Sequence, residues 1–416
     1  MQLCQSHIHL SKFLIYNPIM RGCWICVMWI GLRFSGVRCL STHFFTCRHS
    51  YETTLMDELQ QISQPKHLSS PYPGLVEAEM LDSKLLDPVY ALGVLPNAHQ
   101  VQAESIQGLA KACMENLTSN HNHLLRGLPK ASLAVHAFVP DCFKGSPKPR
   151  SHRRVLTVAD SVIKQLQGLY PCARPDLSNS SPQALLQLLL LEPQLLLVSL
   201  STVTCSSVGV WPHPYLVAGL ANAEESLVLA HDPRRAPSSA YRKLLEALSC
   251  IQFDSAINSA VDLGASPGGW TSVLCKLGVK SITAVDRATL DTPWANHPGV
   301  EFFKSDAFQY TPSKPVDIMV SDLICFPERT VELLETWCRG ELATRMIITM
   351  KFKGDSPHWG ALEHAKATAQ SYGYKCRAKH FFNNKNEVTL ILAKSHDFAY
   401  SKSSLYQSMY PLSLPK

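Results

Sequence analysis

The chain has 416 residues, 46% of them apolar and 17% charged, which suffices to bury at least one full core and excludes an intrinsically disordered protein. The formal charge of +6, from 39 Lys and Arg against 33 Asp and Glu, suits an anionic partner but equally an ordinary basic protein. The 14 cysteines fall at irregular spacing, so they read as reduced thiols and not as a disulfide scaffold.

Residues 1–50 contain no Asp or Glu, while Lys12, Arg21, Arg33, Arg38 and Arg48 lie among Ser, Thr and apolar residues. That is the composition of an organellar transit peptide and points to a mitochondrion or chloroplast, with the cytoplasm as the fallback. A translated upstream segment, with Met20 or Met28 as the start, is the competing reading. The apolar run Gly22 to Leu32 is shorter than the ~20 residues a bilayer requires, so no membrane association is expected. Cys23 and Cys26 form a lone Cys-x-x-Cys pair without a second pair at metal spacing, and no metal is expected. The glycosylation-like triplets at Asn116 and Asn179 carry no weight without other signs of secretion.

Residues 51–73 are polar and proline-punctuated and read as a linker holding at most one short helix. Residues 74–236 mix both periodicities and predict a smaller α+β domain. Its expected elements are helix Ser105 to Leu117, strand Ser132 to Val139, helix Val155 to Leu169 and helix Pro182 to Leu191. Two strands follow, Gln194 to Thr202 and Thr204 to Trp211, the leucine-rich run being broken by Pro193. The loop Lys144 to Arg154 carries five basic residues in eleven and is either a phosphate-binding loop or a solvated one.

From residue 237 to 395 the pattern becomes helix (Ser238 to Leu248), then repeated strand, loop and helix, which predicts an α/β, Rossmann-like doubly wound domain; residues 396–416 form a tail. Its first strand runs into a glycine turn and a helix, Ala260-Val-Asp-Leu-Gly-Ala-Ser-Pro-Gly-Gly-Trp270. Gly264 lets backbone pass close to a ligand, and Gly268 and Gly269 allow a positive φ. The spacing departs from the dinucleotide Gly-x-Gly-x-x-Gly, and the neighbouring Asp262 suits a cationic sulfonium ligand better than a pyrophosphate. The next two strands lead to Asp286 and Asp306, placed to accept ribose hydroxyls and an adenine amino group. S-adenosyl-L-methionine is therefore the expected cofactor, held by Asp262, Gly264, Pro267, Gly268, Gly269, Trp270, Asp286 and Asp306.

The fourth strand ends in Ser321-Asp322, the fifth in Lys351, and a later strand opens Asn386-Glu387-Val388-Thr389. With these residues the sequence resembles the FtsJ-like, RrmJ and RlmM-type, S-adenosylmethionine-dependent ribose methyltransferases, RlmM most closely. Those of the RlmM type act on a large-subunit ribosomal RNA cytidine. The resemblance implies a class I methyltransferase fold and a Lys-Asp-Lys-Glu catalytic tetrad, which falls on Lys243, Asp322, Lys351 and Glu387. It implies RNA 2′-O-methylation, ribosomal RNA as partner, and an RNA-binding THUMP-like character for residues 74–236, where Gly93 to Ala98 and Ala134 to Pro140 look like pieces of that region. Residues 1–73 do not look like the family's additional ferredoxin-like N-terminal lobe, which is expected to be lost or replaced. The oligomeric state is not legible.

A ribose 2′-hydroxyl is a poor nucleophile, so attack on a sulfonium methyl needs its proton removed or its lone pair aimed. A lysine serves as the base only if burial and a neighbouring cation bring its pKa down; Lys243 beside Lys351 supplies the cation, while Asp322 and Glu387 push the other way. Competing readings are a methyltransferase acting on another RNA, on a base, including a cysteine nucleophile at Cys325, or on protein, and an RNA-binding protein that keeps the fold without turnover. The absence of an Asn/Asp-Pro-Pro-Tyr/Phe motif after the fourth strand disfavours base amino methylation.

Overall fold

In Leu40–Thr46 successive side chains point to opposite faces, and both faces find a core: Phe45 joins one apolar cluster and Phe44 another. This strand, β1, begins the described part of a computed structural model covering residues 40–81, 87–127, 133–140, 149–169, 184–202, 237–249, 257–354 and 357–394. Residues 1–39 with Cys23 and Cys26, the basic residues Lys144 and Lys148, Asn179, the expected strand Thr204 to Trp211 and the tail from 395 lie outside these residues.

After β1 come helix α1 (Glu52–Ser63) and strands β2 (His67–Tyr72), β3 (Leu75–Leu81) and β4 (Gly93–Leu95). They form an antiparallel sheet in the order β2-β3-β1-β4, with Leu55 and Leu59 of α1 buried against Phe45, Val76 and Ala78. This is the strand order of a ferredoxin-like split βαβ sheet, with no second helix among the described residues. Three expectations change accordingly. Residues 40–50 are folded strand and turn, not leader; residues 51–73 are helix and strand, not linker; and a ferredoxin-like sheet is present after all. The boundary drawn at residue 73 cuts a hairpin. Pro73 and Gly74 (φ 72°) form a two-residue turn between the paired Tyr72 and Leu75, a proline-glycine signal of a tight turn and not of a linker.

A second sheet has the order β5-β8-β7-β6, from β5 (His99–Gln102), β6 (Leu133–Phe138), β7 (Ala184–Glu192) and β8 (Leu195–Thr202). Helices α2 (Ile106–Asn120) and α4 (Pro149–Leu169) cover it, and the short α3 (Asn122–Gly127) follows α2. The α+β expectation holds here, but the predicted helix Pro182 to Leu191 is strand β7. Seven consecutive residues of β7, Ala184 to Leu190, are buried, which suits an interior strand covered on both faces, whereas an amphipathic helix needs a polar stripe that this run lacks. Helix α4 also starts earlier than expected, so Arg153 and Arg154 belong to a helix and not to a loop. Phe44, Leu75 and Leu95 from the first sheet pack against Phe138, Leu189 and Leu197 from the second.

The C-terminal half is a seven-stranded sheet, ordered β11-β10-β9-β12-β13-β15-β14, from β9 (Ser259–Leu263), β10 (Ser281–Asp286), β11 (Val300–Lys304), β12 (Val316–Ser321), β13 (Ala343–Lys351), β14 (Tyr374–Lys379) and β15 (Glu387–Lys394). β15 is antiparallel to both neighbours; the remaining pairs are parallel. Helices α5 (Tyr241–Ser249) and α6 (Gly269–Lys276) pack on one face, α8 (Pro327–Arg339) and α9 (Trp359–Ser371) on the other, and a single turn, α7 (Thr292–Ala295), precedes β11. The predicted α/β, doubly wound fold is the one observed. The strand order reverses between β9 and β12, and the crevice beyond their carboxyl ends is where such sheets bind ligands. Among the described residues no helix is long and apolar enough to cross a membrane.

The first sheet docks on the β14 edge of this domain through a buried ion cluster. Asp87 receives hydrogen bonds from Arg377 Nε (2.7 Å), Arg377 Nη2 (3.0 Å) and Lys379 Nζ (2.8 Å). Burial by itself raises the Asp87 pKa, but Lys379 and Arg377 outweigh it and hold it down at about 2, below the ordinary 3.8. A carboxyl with a depressed folded pKa stabilises the protein above its unfolded value and ceases to do so as pH falls through the folded one. Asp87→Asn should therefore cost about 3 kcal/mol at neutral pH in urea unfolding, because two buried cations lose their carboxylate, and the gap from the parent should close as pH is lowered from 4 towards 2. A constant gap across that range would rule out the ionic origin.

Candidate active site

β9 ends where the chain turns through Gly264 (φ 83°) into the loop that starts α6. A Cβ on Gly264 would lie 2.9 Å from Leu323 Cδ2, so the glycine lets the segment after β12 close over this turn. Gly268 (φ 117°) caps α6, and a Cβ on Gly269 would overlap the Ser238 hydroxyl, so the start of α6 sits directly against the segment leading into α5. Pro267 lies between these glycines, and the indole N–H of Trp270 donates to Ala240 O (2.8 Å), tying the two helices together. Trp270 is thus buried in the core beside Tyr241 and Leu244.

The three acids sit at successive strand ends but face different partners. Asp262 is buried inside β9, where it accepts from the Thr271 hydroxyl at 2.6 Å; burial pushes its pKa up to about 7 in spite of that bond. Asp286 accepts from Ser266 N (2.9 Å) and Ala288 N (2.8 Å), which shapes the glycine loop and leaves lone pairs on both oxygens. Asp306 is held below the usual carboxylate range by the Phe308 N–H and by Arg287, whose Nη2 lies 2.6 Å away. A glycine cradle at the switch point with two solvent-reaching carboxylates fits an adenosine carrying a cationic tail; Asp262 and Trp270 face protein groups and support that cradle from behind.

The four charged residues named from the sequence come together beyond β12, β13 and β15. Lys243 Nζ lies 2.6 Å from Asp322 Oδ2 and 3.1 Å from Glu387 Oε1; Lys351 Nζ lies 2.7 Å from Asp322 Oδ1 and 3.0 Å from Glu387 Oε2. Cation and anion alternate around a square. Lys351 and Glu387 are directly opposed in the antiparallel pair β13-β15, and Lys243 reaches them from α5. For Lys351, burial alone lowers the pKa, yet Asp322 and Glu387 outweigh it and the net shift is upward. Glu387 moves the other way: burial raises it, but Lys243 and Lys351 hold it below its ordinary value. The sign that the sequence left open between the neighbouring cation and the two carboxylates is thus upward for Lys351, whose ammonium lies 2.7 Å from Asp322 and 3.0 Å from Glu387.

Sequence reading missed two supports of the square. Thr349 donates to Asp322 Oδ1 at 2.6 Å, and its position two residues before Lys351 on the same strand face was the available signal. Glu246, three residues after Lys243 and therefore on the same side of α5, is buried and accepts from Phe382 N (2.6 Å), Asn383 N (2.9 Å) and Asn383 Nδ2 (3.0 Å). Its burial pushes its pKa up to about 7. One helix thus carries a corner of the square and the clamp on the loop that leads to Glu387. Cys325 is half-buried against Thr330, and burial raises its thiol pKa, which disfavours a thiolate nucleophile. Among the described residues no group of three or more His, Cys, Asp or Glu is placed to hold a metal ion.

Residues 236–343 match the model of the FtsJ-like methyltransferase family. The chain is 33% identical over 162 residues to ribosomal RNA large subunit methyltransferase M of Halorhodospira halophila, covering 38% of this chain and 47% of that protein. It is 32% identical over 174 residues to the protein of the same name from Laribacter hongkongensis, covering 39% of this chain and 49% of that one. The Stutzerimonas stutzeri protein of that name is 36% identical over 126 residues, with 29% and 36% covered. The chain spans just under half the length of the first two relatives. Among solved structures, TrmN from Thermus thermophilus covers 85% of this chain and 99% of its own at 13% identity, with a TM-score of only 0.31.

Glu246→Ala should leave three buried N–H groups without their acceptor and cost on the order of 3 kcal/mol in denaturant unfolding. A loss below about 1 kcal/mol would mean that the 382–383 loop holds itself.

Proposed function

We propose that this protein is an S-adenosylmethionine-dependent RNA ribose 2′-O-methyltransferase acting on large-subunit ribosomal RNA, with a cytidine as the acceptor nucleotide. The observation that carries this reading is the alternating square of Lys243, Asp322, Lys351 and Glu387 beside the glycine cradle at the switch point. The printed names of the relatives, all ribosomal RNA large subunit methyltransferase M, support the substrate class. The basic composition of residues 1–39, which contain no Asp or Glu, fits delivery to an organelle, whose own ribosomes would then be the target.

When bound, S-adenosylmethionine supplies an electrophilic sulfonium methyl. In this reading Asp286 accepts the adenosine ribose hydroxyls, Asp306 accepts the adenine amino group, and Gly264, Pro267, Gly268 and Gly269 give the backbone its close approach. With Lys351 held as an ammonium ion, its task is to donate to the 2′-oxygen and aim a lone pair along the line of attack, Lys243 assisting. As the new carbon–oxygen bond forms, the hydroxyl proton becomes strongly acidic. A carboxylate of the square can take it even when held below its ordinary range, as Glu387 is. The second sheet with helices α2 and α4 holds the RNA, and Arg153, exposed on the first turns of α4, is free of the backbone contacts that engage its neighbour and can meet a phosphate. Arg154 instead donates to Pro193 O (2.6 Å) and Glu104 O (2.8 Å).

Three outcomes test the reading. Lys351→Ala should abolish methyl transfer from labelled cofactor to ribosomal RNA while calorimetric cofactor affinity stays near parental, and Lys351→Arg should recover part of the rate because a charged donor suffices. Near-parental single-turnover rates in Lys351→Ala would sink the assignment. The pH dependence follows from the shifts: a raised Lys351 stays charged to above its ordinary 10.5 and a lowered Glu387 stays charged to below 4.5, so this pair keeps its charges and the rate should be flat from about pH 6 to 9. A rising limb in that range would restore the lysine as base. Finally, Asp306→Ala should weaken cofactor binding by roughly 1–3 kcal/mol, and unchanged affinity would remove its role.

A further inference from the structure

Between β12 and α8 lie five residues outside any helix or strand, Asp322 to Phe326, and from Leu323 on their exposure alternates. Leu323 turns inward against Gly264 and the core, and Cys325 turns inward to Thr330. Ile324 and Phe326 turn outward and are 91% and 58% exposed, among only five large apolar side chains so exposed in the described residues. An isolated exposed apolar residue needs no explanation, but two side by side, two and four residues from Asp322, form a patch at the reacting centre. A basic side chain borders it: Lys353, two residues beyond Lys351, holds its ammonium 5.4 Å from the centre of the Phe326 ring, while Arg329 on the first turn of α8 lies over Phe308 and pairs with Glu332.

We propose that Ile324 and Phe326 form a platform for the base of the acceptor nucleotide, with Lys353 beside it to meet an adjoining phosphate. The inference rests on the RNA reading above and adds to it how the nucleotide is gripped. A single-stranded nucleotide that brings its 2′-hydroxyl to the square also brings its base near this patch, and an unstacked base offers two apolar faces and a π surface. An apolar patch bordered by a cation matches that ligand: the base covers the patch and the phosphate charge meets Lys353. A protein partner would seek a larger apolar surface than two side chains present. Stacking of a base on such a surface is tolerant of sequence, so the platform would add affinity and leave the identity of the base to other contacts.

The test uses the full chain and a short single-stranded oligocytidine RNA, alongside the same RNA with one abasic nucleotide at the position methylated. Ile324→Ala and Phe326→Ala should each raise the KM for the oligonucleotide about tenfold, with kcat within about twofold of parental and cofactor affinity unchanged. Phe326→Trp, which keeps the ring, should restore the parental KM. The abasic RNA should bind the parent about tenfold more weakly but bind Phe326→Ala no worse than the intact RNA does. If the variants lower only kcat, or if the abasic penalty is the same in parent and variant, the platform does not exist even though methylation does. If the variants bind RNA like the parent but lose association with a purified ribosomal protein, the patch is a protein contact and the proposal is overturned. Should the parent methylate no RNA, including ribosomal RNA, the functional reading itself falls, an outcome distinct from the others.

Discussion

Four buried charges that sum to zero set the terms on which the rest of this protein is built. Removing one partner from such a group leaves an uncompensated charge at a cost of several kcal/mol, so all four must arrive together. They arrive from four places: a helix before the sheet, the ends of two parallel strands, and the start of an antiparallel one. The register Lys351 opposite Glu387 is therefore strict. A one-residue slip of β15 would turn Glu387 to the other face and exchange Val388, Leu390 and Leu392, which fill one covered face of the sheet, with Thr389 and Ile391 on the other, so core packing and the ion square enforce the same alignment.

Glu387 is only as well placed as the loop before it, and that loop is held from two sides. Tyr51 donates to Lys385 O at 3.0 Å, Arg48 donates to Asn384 O, and His380 N donates to Val89 O at 2.7 Å, all from the first sheet and its flanks. The rings of Tyr51, His380 and Tyr90 pack on one another, with His380 neutral because burial drops its pKa to about 3. From the other side Glu246 receives the loop's N–H groups. The ferredoxin-like sheet is thus part of the scaffold of the site, although none of its residues enters the square.

The doubly wound half was legible because its signals are local: a glycine turn after a short apolar strand, and acids at the ends of the next strands. Asp322, Lys351 and Glu387 were legible as residue types at strand ends and by family resemblance, Lys243 by the resemblance alone. The charge state of Lys351 was not, because it depends on whether the carboxylates or the other ammonium lie closer. The N-terminal half was read less well. Tyr-Pro-Gly-Leu at 72–75 looks the same in a linker and in a hairpin, and the leucines of β7 lack any period by which a buried strand differs from a buried helix. Glu246 is one glutamate on an amphipathic helix, and nothing in the chain around it says that its partner lies more than a hundred residues later.

The order in which the strands are joined bears on how such a protein comes into being. β15 is the last strand among the described residues, yet it lies between β13 and β14, and Glu387 stands at its first residue. During synthesis the ferredoxin-like sheet is complete some three hundred residues before the β14 edge it docks on has been made. Until β15 inserts, β13 is an open edge, and Lys243, Asp322 and Lys351 are an incomplete set with an excess cation. The complete ion square is therefore withheld from every nascent form that lacks β15, and the insertion of this strand acts as the assembly's own completion check.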